Sequence, residues 1–174
     1  MPLPSAAAVL LEAWRDLDRA LDGLSKADAE RRLGAASPIS WTIAHLAENV
    51  DRLVNDLFFG GRLSPYLGDR SFRFGATGEP ADWLVAMREA QKVSEACRSH
   101  LMGLSEGDLD RRVSYDGSNV GMRVAAQKHG GVSLRYVLIR VALHHYYHIG
   151  EIVTARKTAG HDVGDFPGLL EACF

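Results

Sequence analysis

Apolar residues recur at three- and four-residue intervals in four long stretches of the chain, the pattern of helices that each bury one face. In the first stretch Leu10, Trp14, Leu17, Leu21 and Leu24 are separated by charged residues, which predicts a helix from Ser5 to about Leu24. Ser25-Lys-Ala-Asp28 then has the composition of an N-cap, opening a short helical segment that ends at Gly34. Ser37-Pro38-Ile39-Ser40 interrupts the chain. A second long helix is predicted from Ser40 or Trp41 to about Phe59, with Ile43, Leu46, Val50, Leu53 and Leu57 as its stripe and Gly60-Gly61 as its stop. Residues 61–79 show no clean period and read as an irregular connection. Pro80 stands near the start of a third helix carrying Ala86, Ala90, Val93, Cys97, Leu101 and Leu104. Ser105-Glu-Gly-Asp108 looks like another short capped turn, and residues 114–131 read as a glycine-rich loop with a short extended piece. The last helix is predicted from near Ser133 to Gly160, followed by a tail, residues 161–168, that crosses the surface.

Four long amphipathic helices, no convincing strand and longer crossover connections predict an all-α protein, a four-helix bundle. There is no fixed-period repeat and no second composition regime, so residues 1–174 are expected to form a single domain.

The last helix departs from the pattern in one respect. Its stripe runs Leu134, Val137, Val141, His144, His148, Ile152, Ala155, so that two histidines fall where apolar residues belong. Residues four apart on a helix differ by roughly 40° in azimuth and about 6 Å along the axis, so both imidazoles leave one face and can share a metal ion. A polar group in such a slot is costly unless something satisfies it, and a cation would do so. A catalytic zinc-type centre takes three protein ligands and keeps a position for water or substrate. The third candidate is His45, one turn past Trp41 on the second helix and flanked by Ala44 and Leu46 at the edge of its stripe. The other histidines fit less well. His100 ends the third helix, His129 and His161 lie beside glycines in predicted loops, and His145, rotated about 100° from His144, reads as a neighbouring surface residue.

Glu48 and Glu151 each follow a proposed ligand by three residues, and are read either as outer hydrogen-bonding partners of the histidines or as solvated residues. A dinuclear carboxylate site is disfavoured, because such sites use Glu-x-x-His in the opposite order and helices one and three offer no clear inward glutamate. Arg156 reads as a cation offsetting the helix dipole, and Tyr146 and Tyr147 as core or interface residues; none is assigned to the site. No glutamate stands between His144 and His148 as the base of a zinc protease would, and Gly75-Ala-Thr-Gly78 lacks the Lys-Ser/Thr of a phosphate loop.

Composition narrows the partners. A formal net charge of −2 supplies no basic face for nucleic acid, and no apolar run approaches a membrane span of about 20 residues. Met-Pro-Leu-Pro-Ser5 has none of the features of a secretion signal, so the expected location is cytoplasmic. Cys97 and Cys173 have neither metal-ligand spacing nor the number for a disulfide framework.

The run Trp41-Thr-Ile-Ala-His45-Leu-Ala-Glu48, taken with His144-x-x-x-His148-x-Gly150-Glu151, resembles the DinB/YfiT-like superfamily of metalloenzymes. That resemblance implies a four-helix bundle with one histidine on the second helix and a His-x-x-x-His pair on the last. The stretch Ile152-Val-Thr-Ala-Arg156, then Gly160 and Phe166-Pro-Gly168, is similar to the family's tail. Glu151 departs from the family's usual glutamine. The resemblance further implies a homodimer and thiol-dependent transfer or isomerisation using a low-molecular-weight thiol such as bacillithiol or mycothiol.

The expected function is thus that of a mononuclear divalent-metal enzyme acting on a small molecule, with His45, His144 and His148 as ligands and a thiol S-transferase or related hydrolase or isomerase activity. Imidazole ligands suit zinc, nickel or iron alike. The competing expectation is a non-catalytic metal-binding bundle that stores, senses or stabilises.

Overall fold

The computed structural model describes residues 3–32, 36–76 and 78–173. Its architecture is all-α, with four helical rods and almost no strand. The first rod is α1 (Ser5–Leu21), followed by the short α2 (Lys26–Glu30), whose first turn is capped by the Ser25 hydroxyl accepting from the Asp28 amide. The end predicted for this segment at Gly34 lies outside the described residues. The second rod starts as α3 (Ile39–Val50), widens through a π-helical turn (Asp51–Asp56) and closes as α4 (Leu57–Phe59). Gly60, at φ 79°, then takes the left-handed conformation that terminates it at no Cβ cost. The third rod is α5 (Trp83–Met102), capped by the Asp82 carboxylate on the Val85 amide, and the fourth is α7 (Leu134–Thr158), capped by Ser133.

In the second rod the π turn explains a displaced stripe. Ile43, Leu46, Val50 and Leu53 are buried as their spacing predicts. Beyond Leu53 the extra residue per turn carries the buried face round to Val54 and Phe58, and Leu57 is only half-buried. The same turn holds Asp51 inside the protein, where its carboxylate accepts from the backbone amides of Leu63 and Ser64 at 3.1–3.2 Å. Asp51 thereby ties down the start of the crossover to α5. Asp51→Ala leaves those amides without their acceptor, and the expected cost is about 2–3 kcal/mol, read by urea denaturation. An unchanged denaturation midpoint would show that water replaces the carboxylate.

Residues 114–131 correct the expectation of a loop. Val120–His129 form a helix, α6, with the Asn119 side chain accepting from the Met122 amide and Gly130 at φ 68° ending it. Only Met122 and Ala126 of this helix are buried, too few to mark a stripe. The extended pieces lie on either side of it: β1 (Arg112–Val113) pairs antiparallel with β2 (Val132–Ser133), Arg112 opposite Ser133.

α3 packs against both α5 and α7, and α7 also packs along α1. Between α1 and α5 the bundle is less closed. There a cavity of about 560 Å³ is lined by Trp14, Leu17, Ile43, Leu46 and Met87, with His145 among its walls. α1 carries an inward glutamate, Glu12, where none is expected, and an inward aspartate, Asp16. They do not face the histidines. Asp16 accepts from the Gly168 amide at 3.1 Å and from the Tyr146 hydroxyl at 3.2 Å, and Glu12 accepts from the Ala172 amide, so the pair clamps the C-terminal tail onto α1. Arg156 corrects another expectation. It is buried and donates to the Ala20 carbonyl at 2.6 Å, capping α1 across the bundle.

Candidate metal centre

α3 and α7 bring His45, His144 and His148 together, one donor atom from each lying within 4.8 Å of the others. The Nε2 atoms make the approach: His144 is 3.3 Å from His45 and 3.1 Å from His148. His45 and His148 are buried and His144 is half-buried.

Neighbours determine which ring nitrogen carries the proton. The Nδ1–H of His45 donates to the Phe72 carbonyl at 2.6 Å, and the Nδ1–H of His148 donates to Glu151 at 2.7 Å. Both tautomers leave the Nε2 lone pair facing the cluster. Trp41 stacks on His45 with ring centroids 4.8 Å apart and planes 8° from parallel. Its indole N–H donates to the Ser71 carbonyl at 2.7 Å. The 3₁₀ turn Arg70–Phe72 therefore orients His45 twice, once by a carbonyl on the imidazole and once through the tryptophan stacked on it.

The rings are neutral at neutral pH. Burial removes water from the imidazolium and holds the pKa of His144 down at about 3, with His148 and His45 adding their repulsion. Burial likewise lowers His45, opposed by the Phe72 bond, and lowers His148, opposed by Glu151. With the Nδ1 protons of His45 and His148 turned outward, their Nε2 lone pairs face the Nε2 of His144, and a cation among the three rings would be held by neutral donors. The spacing fits one. Two donors about 2.05 Å from a tetrahedral ion stand about 3.3 Å apart, against 3.3 and 3.1 Å for the two pairs that include His144, with all three donors within 4.8 Å of one another. The donor set thus fits a divalent metal of the zinc type.

Glu48 and Glu151 divide the roles left open between them. Glu151 is the hydrogen-bonding partner of His148. Glu48 is buried and, among the described residues, hydrogen-bonds no histidine; its Oε1 faces Arg52 at 2.8 Å, Arg62 at 3.3 Å and Arg73 at 3.6 Å. Because His148 needs only an acceptor, Glu151→Gln is expected to keep most of the metal affinity, and Glu151→Ala to lose about 10–100-fold. Competition with a chelating dye reads both. Equal losses in the two variants would mean that the carboxylate charge, rather than the acceptor, is what matters.

His145 corrects the reading of a surface residue. It is almost fully buried, its Nδ1–H donates to the Val141 carbonyl at 2.8 Å, and it points away from the cluster. α7 is flanked by α1 and α3, so its buried face is wider than one stripe and takes in residue 145. His100 stacks on Phe59 at 4.1 Å, and His129 ends α6.

The triad opens on a cavity of about 1010 Å³ between α3, the crossover and α7, whose walls include Asn49, Arg52, Arg73, Arg140 and Tyr147. From the sequence, Tyr147 reads as a core or interface residue and the other four have no assigned role. Arg140 had a readable signal, standing four residues before His144 on the same helical face.

This geometry accords with the match to known families. A family model of the DinB superfamily matches residues 10–152, a span that contains all three histidines. The chain belongs to the DinB superfamily. None of the curated proteins matches it. Among the described residues no helix is long and apolar enough to cross a membrane.

Proposed function

We propose that residues 1–174 form one metal-binding domain, a cytoplasmic homodimeric enzyme in which His45, His144 and His148 hold a single zinc, nickel or iron ion and a small thiol is transferred to an electrophilic substrate. The observation that carries this reading is the convergence of three neutral Nε2 atoms at the wall of a large cavity. A divalent ion held by His45, His144 and His148 would supply Lewis acidity, the chemistry that lowers the pKa of a thiol beside it. The histidines bring no charge of their own, so they would leave the ion's +2 unneutralised. Trp41, the Phe72 carbonyl and Glu151 keep the rings in place, so little reorganisation is needed as the thiol's charge develops. The cavity admits the electrophile. The thiol would lose its proton to solvent, and attack by the thiolate sulfur would form the new C–S bond as the leaving group departs with the electron pair of the broken bond.

A purely structural metal site fills its fourth position with a protein group. Among the described residues the cluster has three donors and faces open space, which favours catalysis over storage. The thiol comes from the superfamily's chemistry and needs its own test. Cobalt-substituted protein titrated with cysteine is expected to develop a thiolate-to-cobalt charge-transfer band, and the zinc form to conjugate that thiol to monochlorobimane. Cobalt bound with no such band would retain the metal site and remove the thiol.

A further inference from the structure

The cavity beside the triad has a charge pattern that the metal does not explain. Three arginines line it: Arg52 from the π turn, Arg73 from the crossover and Arg140 from α7. Among the described residues the one carboxylate in its walls, Glu151, is engaged by His148. Arg52 and Arg73 share the buried Glu48 behind the wall, which Arg62 also approaches. The Nε of Arg73 faces Glu48 at 3.6 Å, an ion pair too long to be a hydrogen bond, and makes no hydrogen bond of its own. Arg140 is half-buried and makes no hydrogen bond, ion pair or ring contact with any described residue. A guanidinium is normally paired when half-buried, since its planar fork of donors loses water there. The rim is the opposite in character. Phe74, Leu143 and Tyr147 are each more than 60% exposed around the mouth, a concentration of large apolar side chains on one edge.

We infer that this cavity binds an amphipathic organic acid, with Arg140, supported by Arg73, taking its carboxylate and the apolar rim taking its body. The inference deepens the proposed function, on which it rests for the position of the reacting atom. Arg140 precedes His144 by one helical turn, so the acid group sits roughly 6 Å along α7 from the donor cluster. The substrate then spans from the arginine to the triad with its reactive atom a few bonds from the carboxylate. Guanidinium and carboxylate match as two parallel hydrogen bonds, which fixes orientation as well as affinity.

The test uses the metal-free full chain, where a carboxylate has no ion to coordinate. The probes are 3-phenylpropionate, its neutral isostere 3-phenylpropanamide, and inorganic phosphate, followed by the arginine Nε–H resonances. The acid is expected to shift the Arg140 resonance and to bind at least about tenfold more tightly than the amide. Arg140→Gln should erase that preference with amide binding unchanged, and Arg140→Lys should keep part of it. If Arg140→Gln does not fold, Arg73→Gln is the second variant, expected to reduce the same ratio. Equal affinity for acid and amide, or an undiminished preference in Arg140→Gln, would overturn the inference. Phosphate binding as tightly as the acid would overturn the part played by the apolar rim. Zinc uptake by the same protein separates the two readings. Zinc bound without an acid preference sinks this inference alone, and an acid preference without zinc uptake sinks the metal reading alone.

Discussion

Zinc is expected to raise the stability of the native chain by about 4 kcal/mol when the free ion is at a thousandfold its dissociation constant. For a chain of this size each kcal/mol moves the unfolding midpoint by about 2–4 °C, so the expected rise is roughly 8–16 °C. His45→Ala, His144→Ala and His148→Ala should each lose most of that rise, because two imidazoles hold the ion far more weakly than three. An ion that binds the assembled site and not the unfolded chain stabilises the native state by its own binding. His45 and the pair on α7 are 99 and 103 residues apart in sequence and meet only when α3 packs on α7. The variants themselves should stay folded without metal, since the core of Leu10, Leu46, Leu101, Leu134 and Leu138 is independent of the rings. Variants that unfold outright would make the histidines a structural element of the bundle.

Acid is expected to destabilise the metal-free protein before it protonates ordinary carboxylates. Burial holds His145 down at about 4 and His144 at about 3, and lowers His45 and His148 as well, from about 6.5 in the unfolded chain. Between those values the unfolded state binds more protons than the native one, so stability rises with pH across the window. The stabilisation is complete above about pH 6.5 and is lost as pH falls toward the native pKa values. Each histidine kept neutral contributes a slope of up to about 1.4 kcal/mol per pH unit. Fully buried His145 alone then costs roughly 2 kcal/mol by pH 5, and partly exposed His144 adds a smaller amount. Urea denaturation of chelator-treated protein at pH 7.5 and 5 reads the difference. A flat profile would mean that the rings take up protons freely, and that the cluster is looser than its burial indicates.

The two ends of this account were unequally readable from sequence. His144 and His148 announced themselves because four-residue spacing on a long helix puts two side chains on one face whatever the packing. His45 needed only the further assumption that α3 and α7 meet. His145 was misread because one narrow stripe was taken as the buried face, whereas α7 lies between two neighbours and buries a wider arc. The π turn after Val50 is similar in kind: a local widening moves burial from Leu57 to Phe58, and periodicity carries no warning of it. α6 went unseen because a helix with two buried residues has almost no pattern, although its cap Asn119 and its terminator Gly130 were present. The Phe72 carbonyl that fixes the tautomer of His45 has no sequence signature at all, since any residue would supply the same atom. Glu151 was visible but ambiguous, and only its bond to His148 separates it from Glu48, which serves the arginines instead.

X-ray absorption at the zinc edge, on protein purified without an affinity tag and loaded with one equivalent, tests the central claim most directly. The expected spectrum has three imidazole nitrogens at about 2.0 Å and one further light-atom ligand from solvent, reduced to two imidazoles in His45→Ala. Sulfur in the shell, four protein donors, or no retained zinc would contradict a three-histidine centre with an open position.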